Sequence, residues 1–236
     1  MTTRAQQQDH GRHGGDRGDS GHAGYGGHGG HRHGQHGGHA TASGRHGHMA
    51  DAQGIAVLLS DERRAKMPPE ETLRAVGIAQ GQTVVDLGCG PGFFTLPATG
   101  LVGPAGKVYG VDVQPEMVEA CRQRAAEAGA RQVEVVRSSE AHVPLPDGIA
   151  DLVLASVVLH EAKDRAAFLR EARRLLRPDG EVAVIEFRKE EGTPGPPLER
   201  RLSEGDVAAV AEAAGLRVRA QRALNEQLFL SHLAAA

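Results

Sequence analysis

Val84-Val85-Asp86-Leu87-Gly88-Cys89-Gly90-Pro91-Gly92-Phe93-Phe94 reads as a buried strand running into a glycine loop and then a helix. The β-branched residues suit the strand. Gly88, Gly90 and Gly92 let the backbone turn tightly and pass close to a ligand. The next strand, Lys107–Asp112, ends in an acid placed to accept hydrogen bonds from a ribose. Together these features predict a site for an adenosine-bearing cofactor.

The glycine spacing narrows the choice of cofactor. The dinucleotide fingerprint runs G-x-G-x-x-G and lays a pyrophosphate on a helix N-terminus. Here the glycines run G-x-G-x-G, with Asp86 two residues before the first. An acid at that place opposes a pyrophosphate and suits a cationic ligand carrying an α-ammonium and a sulfonium. An NAD(P)-dependent oxidoreductase is therefore the disfavoured enzyme alternative. For the loop taken alone, a tight strand–helix turn with no ligand is the structural alternative.

Working outward, strands and helices alternate. A helical lead-in covers 49–81, with a charged run at Asp61–Met67 and a helix begun by Pro68-Pro69 and stopped at Gly77. Strands are expected at Thr83–Leu87, Lys107–Asp112, Gln132–Arg137, Asp151–Ser156 and Glu181–Phe187. Helices are expected at Phe93–Leu101, bent by Pro97, and from Pro115 to Gly129. A third runs over Ala162–Arg177, with Phe168, Ala172, Leu175 and Leu176 inward and Pro178-Asp179-Gly180 as its stop. After a Pro/Gly-rich loop at Arg188–Leu202, a helix capped by Ser203 closes at Gly215, and strands near Leu216–Arg222 and Gln227–Ser231 finish the chain. The alternation predicts an α/β fold: a Rossmann-like, doubly wound, mostly parallel seven-stranded sheet. The last two strands have no helix between them, so the last is expected to be antiparallel.

Four segments in order carry a family resemblance. Val84–Gly92 resembles motif I of the class I S-adenosylmethionine-dependent methyltransferases. Val108-Tyr109-Gly110-Val111-Asp112-Val113-Gln114-Pro115-Glu116-Met117, Pro144–Asp151 and Leu175–Val182 are similar to the segments that follow in that family. The resemblance implies S-adenosylmethionine as cofactor. It implies that Asp86 orients the glycine loop and the methionine ammonium, that Gly88, Gly90 and Gly92 admit the methionine moiety and ribose, and that Asp112 takes the ribose hydroxyls. Val113 is implied to pack on the adenine, with a place in the core as the alternative. Where the family often has Asp-Ala after the third strand, this chain reads Ser138-Ser139-Glu140-Ala141, so Ser139 or Glu140 is the implied adenine contact.

Val158–Asp164 and Gly195–Arg201 resemble a small-molecule branch near the ubiquinone/menaquinone-pathway and arsenite methyltransferases. Both follow the carboxyl ends of strands, where open α/β sheets bind ligands, so both are expected to border a methyl acceptor. Methyl transfer needs a base only where the acceptor must lose a proton. His160 is the candidate, because an imidazole titrates near neutrality; the structural alternative is that it caps a helix or bonds a carboxylate. Arg201 is expected either to hold an anionic acceptor or to sit exposed in its loop. Cys89 and Cys121 are too few for thiolate capture of arsenite and read as structural.

The first 48 residues differ in kind. Residues 2–48 have no Leu, Ile, Val, Phe, Trp, Pro or Cys but hold 10 of the 13 histidines and 15 of the 32 glycines. Such a segment is expected to be a disordered tail, with one methyltransferase domain over 49–236. Its histidines, His28, His31, His33, His36 and His39 among them, can hold Ni, Zn or Cu ions weakly. That gives a non-enzymatic alternative, a metal-buffering, metallochaperone-like protein with a nucleoside-binding Rossmann-like domain. A purely solubilising tail is the other. The tail carries +2 of a total of −3, leaving −5 on the rest, and neither value suggests a nucleic-acid footprint, which needs a clustered basic face. There is no apolar run near the N-terminus and none of membrane-spanning length, so the expectation is a cytoplasmic protein acting on a small molecule, with no membrane partner. The few aromatics offer no stacking platform for a large planar acceptor.

Overall fold

The computed structural model describes residues 52–192 and 195–236. The tail expected over 1–48, with its histidines, lies outside the described residues. The lead-in forms three short helices, α1 (Ala52–Leu58), α2 (Asp61–Lys66) and α3 (Pro69–Val76). Ser60 caps α2 by accepting from the Arg63 amide. Gly77 ends α3 in the left-handed conformation that a residue without Cβ adopts cheaply.

The rest alternates as β1 (Thr83–Leu87), α4 (Thr95–Val102), β2 (Lys107–Asp112), α5 (Pro115–Glu127), β3 (Val133–Arg137), β4 (Ala150–Ser156), α6 (Arg165–Leu175), β5 (Leu176–Phe187), α7 (Glu204–Ala213), β6 (Leu216–Ala223) and β7 (Leu228–Ala235). The strands make one sheet in the order β3-β2-β1-β4-β5-β7-β6. The first five are parallel, and β7 runs antiparallel to both β5 and β6. The doubly wound sheet with an antiparallel last strand is the architecture the alternation predicts.

Each central strand feeds two cores, because successive side chains point to opposite faces. Val84, Leu152, Leu154 and Ile185 pack with Leu73, Phe94 and Ala98 on one side. Val85, Leu87, Val153 and Val184 pack with Leu169, Leu175 and Val207 on the other. The order reverses beside β1, where β2 and β4 flank it on opposite sides, so the carboxyl ends of β1, β2 and β4 frame a switch-point crevice.

Four boundaries differ from expectation. α4 begins at Thr95 rather than Phe93, which puts Pro97 in the first turn, where its missing N–H costs nothing and no bend is needed. α6 spans Arg165–Leu175, not Ala162–Arg177. Asp164 caps it by accepting from the Ala167 amide, and Leu176 is already extended. Its inward residues are Leu169, Ala172 and Leu175, with Phe168 only half-buried. Pro178-Asp179-Gly180 is a bulge inside β5 rather than a stop before it: the register passes from Ala150↔Leu176 to Leu152↔Glu181. β7 continues to Ala235 because it is sandwiched between two strands that satisfy its backbone.

Candidate functional site

β1 delivers Asp86 to the crevice with its carboxylate 3% exposed, and the Thr95 hydroxyl at the head of α4 donates to it at 2.6 Å. Burial pushes its pKa up to about 6, the Thr95 bond opposing and the nearby Asp112 carboxylate adding to the rise. Asp112, at the end of β2, is also buried and raised by desolvation. Its two oxygens accept from the Gly90 and Gln114 amides, each at 2.9 Å. The second acid thus holds the glycine loop in place.

The three loop glycines all have positive φ, but for different reasons. A Cβ on Gly88 would lie 2.5 Å from a Val158 methyl carbon, and one on Gly92 would meet Leu96 and the Cys121 sulfur. Those two are glycine because the protein itself packs there. A Cβ on Gly90 would meet only Leu58, at 3.7 Å. Gly90 is the loop backbone with most room for a ligand, and the buried Asp112 carboxylate holds its amide. Val113, next along, is 42% exposed, so its core alternative does not hold. An open backbone, two acids and an exposed aliphatic face fit an adenosine ligand with a cationic tail.

Ser139 and Glu140 are both exposed. The Ser139 hydroxyl accepts from the Ala141 and His142 amides, and Glu140 pairs with Lys163 at 2.6 Å. Neither is brought onto the glycine loop by a contact among the described residues.

The carboxyl ends of β4 and β5 carry a second set of buried polar side chains. His160 is buried in a short 3-10 turn, its Nδ1 2.7 Å from Glu186 Oε2 and its backbone amide donating to Glu186 Oε1 at 3.1 Å. The two side chains are 3% and 1% exposed. His160 therefore does bond a carboxylate, which leaves Nε2 as its outward nitrogen, 3.8 Å from Glu161. Two further features mark the place. Ser156 has a buried hydroxyl oxygen with no hydrogen-bond partner. Val157, a β-branched residue, sits at φ 56°, the strained region that clusters at ligand sites.

Arg201 is not exposed in its loop. It is buried and donates to the carbonyls of Pro196, Arg188 and Glu190, with its guanidinium over the Phe187 ring. It straps the 188–202 loop together. Arg174 does the same for the segment before β4, donating to the Val143 and Leu145 carbonyls and pairing with Glu171 and Asp147.

Sequence reasoning passed over Glu186, Ser156 and Thr95. Glu186 had a signal, an acid inside the apolar run Val182–Phe187. Cys89, within the loop, and Cys121, whose sulfur lies against Gly92, are buried free thiols. Among the described residues no group of three or more His, Cys, Asp or Glu side chains is placed to hold a metal, and no helix is long and apolar enough to cross a membrane.

Residues 78–222 match a methyltransferase domain family. An arsenite methyltransferase from Halobacterium salinarum is 37% identical over 107 residues, 45% of this chain and 27% of that protein. A demethylmenaquinone methyltransferase from a Geobacillus species is 28% identical over 117 residues, half of each chain. The matches thus span half or less of these curated relatives. Among solved structures, a SAM dependent methyltransferase from Aquifex aeolicus is 35% identical with a TM-score of 0.74, covering 78% of this chain and 97% of that one. The family match runs from the lead-in through β6, across both halves of the crevice, and the chain belongs to the SAM-dependent methyltransferases.

Proposed function

We propose that this chain transfers a methyl group from S-adenosylmethionine to a small molecule seated at the carboxyl ends of β4 and β5. The observation that carries the reading is Gly90: the one glycine of the loop where a Cβ would meet no close contact, only Leu58 at 3.7 Å, with its amide held by the Asp112 carboxylate. Bound S-adenosylmethionine supplies a methyl carbon activated by a positive sulfur.

The protein's part is to orient and to manage protons. Asp86 offers a carboxylate to the α-ammonium. Asp112 keeps acceptor capacity for ribose hydroxyls while it anchors Gly90, and Val113 offers an apolar face to the base. His160 is the group to take a proton from the acceptor: Glu186 on Nδ1 fixes the tautomer whose Nε2 is free to accept, and leaves it a carboxylate partner once charged. Ser156 offers an unclaimed hydroxyl at the carboxyl end of β4.

Cytoplasmic residence is supported by two buried thiols that remain unpaired, as a reducing compartment keeps them. Weak Ni, Zn or Cu binding by the tail histidines is an accessory property in this reading, not the function.

The test is to incubate the full chain with methyl-labelled S-adenosylmethionine and the small-molecule fraction of a cell extract. A labelled small molecule that forms with the wild type and not with His160→Ala is the expected result. Label found only on macromolecules would overturn the small-molecule reading.

A further inference from the structure

α2 brings a charge to the glycine loop that motif I does not contain. Its Arg63 guanidinium carbon lies 4.7 Å from the centroid of the Phe93 ring, immediately after the loop. The side chain is half-buried, and its Nε is enclosed with no hydrogen-bond partner. Among the described residues no carboxylate pairs with it; Asp86 is near enough to act through its field without making an ion pair. Burying a guanidinium in this way is unfavourable unless an anion completes it.

The position of Arg63 is held from both sides. The Ser60 hydroxyl accepts from the Arg63 amide, and Met67, which ends α2, is buried in the core under α3. Asn225 donates to the Lys66 carbonyl, tying the end of α2 to the β6–β7 turn. At the end of α1, Leu58 lies over Gly90. The lead-in is therefore set against the loop at two points, one apolar and one cationic. Asp86 and Arg63 present one negative and one positive group to the same crevice, unpaired with each other. That is the complement of an α-amino acid end, which carries an ammonium and a carboxylate on one carbon.

We propose that Arg63 binds the carboxylate of the cofactor's methionine moiety, so that α2 recognises the amino-acid end while β1 and β2 recognise the nucleoside. This rests on the S-adenosylmethionine reading above. Arg64 also approaches Phe93, at 5.7 Å, but is exposed, so it serves as the control.

The test is calorimetric titration of the full chain with two probes. S-adenosylhomocysteine has the amino-acid end; 5′-methylthioadenosine keeps the nucleoside and thioether and lacks it. Arg63→Met is expected to weaken S-adenosylhomocysteine by roughly tenfold to a hundredfold, as for loss of a hydrogen bond to a charged group, and to leave methylthioadenosine within about twofold. Arg64→Met should leave both within about twofold. Arg63→Lys, which keeps the cation, should recover part of the loss and serves in place of the Met variant should that fail to fold. Equal weakening of both probes, or no change with S-adenosylhomocysteine, would overturn the proposal. Failure of the folded wild type to bind either probe would instead sink the cofactor reading, and this inference with it.

Discussion

The two halves of the crevice are built differently. At the ends of β1 and β2 the backbone makes the site: three glycines at positive φ, one of them open, and an aspartate that spends both oxygens on loop amides. At the ends of β4 and β5 side chains make it: a buried histidine locked to a buried glutamate twenty-six residues away, and a hydroxyl without a partner. The first half is suited to one invariant ligand, because a backbone cradle changes little when side chains change. The second can be respecified by a few substitutions. A protein that binds a common donor and a particular acceptor needs that division.

The largest expected effect lies where the halves touch, at Gly88 against Val158. Gly88→Ala must take both a left-handed φ and a 2.5 Å approach to Val158. Backbone strain and overpacking together predict a loss of about 2–4 kcal/mol in denaturant unfolding. Gly90→Ala has room, so its stability loss should be only about 1–2 kcal/mol, from φ alone, while S-adenosylhomocysteine binding is abolished. Equal stability losses would erase the distinction between a packed and an open glycine.

Next comes the acceptor half. Glu186→Gln keeps the shape but removes the charge that orients and supports His160. S-adenosylhomocysteine affinity should stay within about twofold, while methyl transfer falls by roughly a hundredfold or more, in the range for general-base catalysis. An equal fall in both would make the pair a strut for the fold rather than part of an acceptor site.

The pH dependence is a third test. Burial raises the Asp86 pKa in the folded state to about 6, from the ordinary 3.8. The native state therefore holds the extra proton between these values, and this group's contribution to stability is present below about 4 and lost as pH rises to 6. Binding of a cationic head runs the other way, because it needs the ionised carboxylate. Affinity for S-adenosylhomocysteine should rise up to about tenfold per unit as pH approaches 6, then level off. Burial sets the midpoint first, with the Thr95 hydroxyl, Asp112 and Arg63 adjusting it, and Asp86→Asn should flatten the profile. The smallest effect is expected from Thr95→Val, which removes the 2.6 Å hydrogen bond and should move the midpoint up by about one unit.

The same division explains what could be read from the sequence. Glycine spacing and a terminal acid are local signals, so Gly88, Gly90, Gly92, Asp86 and Asp112 can be assigned from sequence to the ends of β1 and β2, the proposed cofactor half, and the paired last strands mark the antiparallel edge. The His160–Glu186 contact depends on the register between β4 and β5, which no local pattern states. The sequence leaves Arg201 open between a ligand contact and an exposed loop residue; its burial is not legible there because the groups it binds include backbone carbonyls, which leave no trace in the side-chain sequence. Helix ends were misplaced where a cap competed with hydrophobic periodicity, as at Asp164. Arg63 was read only as part of a charged run, since its burial arises from the fold bringing α2 onto Phe93.

The most direct measurement is a side-by-side titration of wild type, Asp112→Ala and His160→Ala with S-adenosylhomocysteine. The account predicts binding by wild type and His160→Ala within about threefold of each other and none by Asp112→Ala, since only Asp112 anchors the Gly90 backbone. Undiminished binding by Asp112→Ala, or loss of binding in His160→Ala with its fold intact, would contradict the separation of the cofactor half from the acceptor half.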